Sequence, residues 1–92
     1  MLERDVKKSL KEYLTKIGAY QFWPVPTGFG ATTVDVLFCY SGKFYAIECK
    51  RPGVHKPTGA QKLVLDKVSQ SGGWSWVEND PKLTLTRNML GA

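Results

Sequence analysis

Leu2, Val6, Leu10, Tyr13, Leu14 and Ile17 recur at steps of three and four residues, the spacing of one face of a helix, and Gly18 closes the run. Glu3 falls on the same face, while Lys7, Lys8, Lys11 and Lys16 lie largely off it. The aromatic run Tyr20 to Val25 predicts a strand limited by Pro24 and Pro26. Two further runs, Thr33 to Tyr40 and Phe44 to Lys50, are apolar, aromatic and β-branched and predict strands. Thr58 suits the N-cap of a second helix through about Ser71, with Leu63, Val64, Leu65 and Val68 as its apolar positions and Gln61 in its first turn. Gly72-Gly73 stops it. Trp74 to Val77 then predicts a strand with both tryptophans on one face. Asn79-Asp80-Pro81 can cap a last short helix over 82–90, although Leu83 to Thr86 would also suit a strand. The order predicts one α/β domain spanning 1–92, a small mixed sheet of three or four strands flanked by two or three helices.

Two of those strands carry charge where packing chemistry would not place it. Glu48 and Lys50 are two apart on one strand, so they point the same way. Ser41-Gly42 is a two-residue hairpin turn, with Gly supplying a left-handed position. That turn sets Tyr40 opposite Lys43 and, continued along the ladder, Asp35 opposite Glu48, whereas a bulge at the turn would shift the register by one. Directly opposed side chains have Cβ atoms roughly 4.5–5.5 Å apart, and like charges there repel. A shared divalent cation removes the conflict, because hard cations such as Mg²⁺ take carboxylate oxygens and keep positions for water and phosphate. Taken singly, each of the three residues also reads as an edge charge.

Composition narrows the partner. Thirteen Lys plus Arg against eight acids give a net charge of +5, which favours an anionic partner, nucleic acid first. A solvated basic surface carries the same charge. No apolar run is long enough for a membrane span, and the charged N-terminal residues do not form a signal peptide. Cys39 and Cys49 are predicted on opposite faces, unable to bridge, which suits a reducing cytoplasmic setting. Two cysteines and His55 do not form a zinc site of the usual spacing. The loop over 27–32 lacks the dinucleotide fingerprint and the phosphate-loop lysine, so no nucleotide cofactor is expected. Arg51, His55 and Lys56 follow the Glu48–Lys50 strand and add cationic reach; for His55 a phosphate contact or plain exposure is expected rather than general-base work.

Asp35 followed by Glu48-Cys49-Lys50 on the next strand resembles the PD-(D/E)xK nuclease core. With Glu3 on the preceding helix and Gln61 on the following one, the order is similar to the VRR-NUC branch, over roughly residues 1–78. That branch includes small stand-alone viral and bacterial nucleases, which admits a phage-encoded origin, and the nuclease domain of the Fanconi-associated repair enzyme. Val34 stands where many members have proline, and Cys49 where a branched apolar residue is commoner. Neither departure removes a ligand, since that second position lends its backbone carbonyl.

The resemblance implies a restriction-endonuclease-like fold and Mg²⁺- or Mn²⁺-dependent DNA hydrolysis leaving 5′-phosphate and 3′-hydroxyl ends. Asp35, Glu48 and the Cys49 carbonyl would hold the ion, and Glu3 would reach the same or a second one. Lys50 would orient the attacking water, stabilise charge or accept a proton, and Gln61 would orient the lysine or the DNA backbone. Phe22, Trp23, Trp74 and Trp76 are more large aromatics than so small a core covers, and they suggest an interface. A two-fold homodimer would present two sites, which suits a four-way junction. The expectation is therefore structure-selective cleavage of branched DNA by a homodimer. A general duplex or flap nuclease and a non-catalytic basic DNA-binding module are the alternatives.

Overall fold

The computed structural model describes residues 2–25 and 33–91. The predicted loop over 27–32, and Pro26, lie outside the described residues. The elements run α1 (Glu3–Lys16), β1 (Tyr20–Phe22), β2 (Val36–Tyr40), β3 (Lys43–Cys49), α2 (Gly59–Gln70), β4 (Trp74–Glu78) and α3 (Thr84–Leu90). The strands form one sheet in the order β1-β2-β3-β4. The first three are antiparallel and β4 is parallel to β3. A mixed α/β domain with four strands and three helices results, and no helix among the described residues is long and apolar enough to cross a membrane.

Two apolar layers sandwich the sheet. On one face Val36, Phe38, Tyr45, Ile47, Cys49 and Trp76 meet Val6, Leu10, Tyr13 and Leu14 of α1, with Leu83 beside them. On the other, Ala46, Leu37 and Val77 meet Leu65, Val64 and Val68 of α2, and Val34 packs into the same cluster. The hairpin register is the predicted one, from Tyr40↔Lys43 to Val36↔Ile47. Ser41 and Gly42 both have positive φ, 52° and 77°, as a turn matched to strand twist requires. At Gly73 a Cβ would meet Val68 Cγ1 at 2.8 Å and the Phe44 carbonyl at 3.0 Å. Only glycine lets α2 return this closely to the sheet.

Several predicted boundaries move for physical reasons. β1 stops at Phe22, because Pro24 has no amide to pair and biases the residue before it. β2 begins at Val36 rather than Thr33, because the chain bends at Asp35 and Val34 turns into the α2 layer. Lys50 lies one residue beyond β3, yet its amide donates to the Glu78 carbonyl and keeps it in line with the parallel pairing. On α2, Leu63 is 72 % exposed, since three adjacent positions 100° apart cannot all face the sheet. Val64, Leu65 and Val68 do so, and Gln61 continues their stripe. The last helix starts at Thr84 because Asp80 folds a turn first: its carboxylate accepts the Lys82 amide and the Thr84 hydroxyl, and its carbonyl the Leu83 amide.

The four aromatics expected at an interface divide. Trp76 is 8 % exposed and donates its indole N–H to Thr86. Trp23 packs against the α1 layer and donates to Gln21. Only Phe22 and Trp74 stay exposed, so a small core does absorb half of them. Phe22 belongs to an exposed apolar patch with other residues of the first three strands. Register puts Tyr20, Cys39 and Phe44 in one cross-strand row and Phe22 beside Leu37 in the next, on the face that α2 covers chiefly over β3 and β4.

Candidate active site

Asp35 sits at the bend that opens β2, and Glu48 is the penultimate residue of β3. Their pairing is reciprocal and runs through the backbone. A Glu48 carboxylate oxygen, Oε1, accepts the Asp35 amide at 3.0 Å, and Asp35 Oδ2 accepts the Cys49 amide at 2.8 Å. The two acids thus stand side by side across the end of the hairpin, as the register predicts, each fixed by the other strand's main chain. Lys50 follows on the same face, its ammonium 3.6 Å from Glu48 Oε2 and its side chain largely buried.

Electrostatics make Glu48 the least comfortable of the three. It is 2 % exposed. Burial, then the neighbouring Asp35 charge, pushes its carboxyl up to about 7, despite the Lys50 ammonium and the Asp35 amide pulling the other way. A buried acid held near neutrality is a group that a nearby cation would convert to carboxylate. Burial also pushes the Cys49 thiol far up, with Asp35 and Glu48 adding to it. The thiol lies in the α1 layer on the opposite face, so Cys49 offers the site its backbone and not its sulfur.

Lys7 is the residue that the helical pattern does not reveal. Glu3, expected on the inward face of α1, lies on its flank, partly exposed and joined to the centre through Lys7, one turn on. Its ammonium is 3.3 Å from Glu3 Oε2 and 3.2 Å from Asp35 Oδ1. Val6 and Leu10, both 0 % exposed, seat this part of α1 on the sheet and aim the intervening flank at the Asp35 bend. Burial lowers the Lys7 pKa, but Asp35 and Glu3 outweigh it and hold the group above its ordinary value. The centre is therefore a row, Glu3–Lys7–Asp35–Glu48–Lys50, in which a cation stands on either side of the adjacent Asp35 and Glu48 carboxylates. The (i, i+4) spacing of Glu3 and Lys7 was the available signal.

Gln61 is committed to its own helix. Its side-chain carbonyl accepts the Thr58 amide at 2.9 Å while the Thr58 hydroxyl accepts the Gln61 amide at 3.2 Å, a reciprocal cap. It stands on the sheet-facing stripe of α2, and its side chain makes no hydrogen bond to Lys50 or Glu48 among the described residues. His55 lies in the exposed loop after Lys50, with Nδ1 3.1 Å from the Asn79 amide, which also donates to the Val54 carbonyl. Asn79 thereby ties the Arg51–Pro57 loop to the end of β4. Glu78, 1 % exposed, accepts the Thr86 amide and hydroxyl and the Asp80 amide, and so anchors α3.

The donor set suits a hard divalent ion in part. Asp35 and Glu48 supply adjacent carboxylates, one of them disfavoured as a bare anion, and the Cys49 peptide adjoins them. Oxygen donors of this kind match Mg²⁺ or Mn²⁺ rather than zinc. No group of three or more His, Cys, Asp or Glu side chains converges on one point among the described residues; Lys7 stands between Glu3 and the other two acids. No family model matches this chain, and no curated protein matches it either.

Proposed function

We propose that this chain is a metal-dependent DNA endonuclease with a PD-(D/E)xK core of the VRR-NUC type. The observation that carries the reading is the Asp35–Glu48–Lys50 juxtaposition, in which two acids share the end of a hairpin with a largely buried lysine side chain beside them. Building such a cluster into a small core costs stability, and structural packing alone gives no return for it. The order helix, three strands, helix, strand, with the last strand parallel to the third, supports the assignment. So does the net charge of +5.

Asp35, Glu48 and the Cys49 carbonyl would hold one Mg²⁺ or Mn²⁺, which supplies Lewis-acid activation of phosphate and water. Asp35 and Glu48 are kept in place by the main-chain hydrogen bonds they accept, so their oxygens are preorganised. Lys50 carries positive charge to the same face, where it would orient the attacking water and stabilise the charge that builds on the phosphate oxygens. Arg51, His55 and Lys56 lie on the loop leaving the site and would contact the DNA backbone, with Asn79 holding that loop. Gln61 would act on the backbone or on Lys50 only through its side-chain nitrogen, since its oxygen is spent on the cap.

Selectivity for four-way junctions follows from assembly. The bare face carrying Tyr20, Phe22 and Phe44 would be covered by a second copy, bringing two sites into a two-fold pair. The test is a panel of duplex, single-stranded, flap and four-way junction DNAs with Mg²⁺ and Mn²⁺, alongside light scattering. Paired incisions in junctions, little cutting of linear duplex and a dimeric mass are expected. Equal rates on junction and duplex, or a monomer, would leave only a general metal-dependent nuclease.

A further inference from the structure

Lys7 bridges two carboxylates of the centre, and its position bears on how many ions that centre takes. Its ammonium lies 3.2 Å from Asp35 Oδ1 and 3.3 Å from Glu3 Oε2. The other Asp35 oxygen already accepts the Cys49 amide. An ion bound jointly by Glu3 and Asp35 would sit against the Lys7 ammonium, which already lies between the two carboxylates. Val6 and Leu10 on either side are fully buried, so the backbone that carries Lys7 cannot retreat from the bend at Asp35 without opening the core.

Given the nuclease reading on which this rests, we infer that the Lys7 ammonium serves in place of a second metal ion, making the centre a one-ion site completed by a built-in cation. Charge bookkeeping agrees. Glu3, Asp35 and Glu48 bring three negative charges, and Lys7 and Lys50 bring two positive ones. One divalent ion then takes the cluster slightly past neutrality. A second ion would leave a strong excess of like charge within a few ångströms of Lys7. The separation of Glu3 from the other acids by Lys7, with no three-acid group converging among the described residues, is the geometric counterpart. Glu3 accordingly acts as a positioning residue that holds Lys7 against Asp35, rather than as a ligand.

Counting bound Mn²⁺ by electron paramagnetic resonance, on the full chain without DNA, tests this independently of cleavage. Wild type should bind one ion. Lys7→Met keeps an unbranched side chain, one atom shorter, and removes its charge; it should bind two, with the first held about tenfold tighter. Lys7→Met combined with Glu3→Gln should return to one. Lys7→Gln provides a second uncharged variant should the Met side chain disturb folding, which melting temperatures would reveal. Two ions on wild type, or one on both Lys7 variants, would overturn the inference and leave the nuclease reading standing. No Mn²⁺ on wild type would instead overturn the nuclease reading itself.

Discussion

Asp35 and Glu48 are locked together through each other's backbone: the Glu48 carboxylate takes the Asp35 amide at 3.0 Å, and the Asp35 carboxylate takes the Cys49 amide at 2.8 Å. Mutual repulsion alone would make removal of either acid stabilising. The hydrogen bonds reverse part of that, because removing an acceptor strands a shielded amide at a cost of roughly 1–3 kcal/mol. Asp35→Asn keeps an acceptor and removes the charge. In EDTA it should melt above Asp35→Ala by several degrees, since about 1 kcal/mol moves a domain of this size by roughly 4–8 °C. Coincident melting of the two variants would show that the hydrogen bond contributes nothing.

The raised Glu48 carboxyl gives the metal-free protein a pH dependence of definite sign. The group binds its proton more tightly folded than unfolded, with a folded pKa of about 7 against an ordinary 4.5. Its contribution is complete below the unfolded value and is lost as the pH rises through the folded one. Melting temperature in EDTA should therefore fall between about pH 5 and about pH 8. Glu48→Gln should flatten the profile. Lys50→Ala should extend the decline to higher pH, because the ammonium now holds the Glu48 pKa down. A wild-type profile as flat as that of Glu48→Gln would refute this electrostatic account.

The hairpin chemistry was legible in the sequence because two rules with short range suffice there. Alternation puts Glu48 and Lys50 on one face, and Ser41-Gly42 forms the turn without a bulge, so the register continued past Val36↔Ile47 brings Asp35 to Glu48. Lys7 was not legible, since helical periodicity says which residues share a stripe but not how far round the buried face extends at the sheet's end. Trp76 and Trp23 pack inward for a related reason: each finds a hydrogen-bond partner, Thr86 or Gln21, that allows one indole to be buried and the other to be half-buried. The start of α3 depends on Leu83 adopting φ 57°, an αL conformation that no local pattern announces for leucine.

The cysteines should separate cleanly. Cys49 is buried with its thiol pKa pushed far up, so a disulfide-exchange reagent should reach it only on unfolding. Cys39 is exposed in the row with Tyr20 and Phe44. In the monomer one thiol should titrate without denaturant and two in it; two reactive thiols in the native state would contradict the packing of β3 on α1.

Cys39 also reports on the proposed dimer. Phe22→Asp with Phe44→Asp replaces two exposed side chains, so the fold should persist within about 1 kcal/mol. Light scattering should then give a monomer, Cys39 labelling should quicken, and junction incision should fall by at least about tenfold. A dimer that survives both substitutions would place the interface elsewhere.

The most direct measurement is nicking of supercoiled plasmid by wild type and Lys50→Ala with Mg²⁺, read with end analysis and EDTA controls. Lys50 is the one ammonium beside Glu48 on the site face among the described residues, and its loss should leave folding intact. Wild type should nick, leaving 5′-phosphate and 3′-hydroxyl ends, and EDTA should abolish the activity. Lys50→Ala should retain less than about one hundredth of the rate, the scale of a lost proton-transfer or charge-stabilising group. Absence of metal-dependent nicking, or a Lys50→Ala rate within about twofold of wild type, would contradict the assignment of this centre as a nuclease active site.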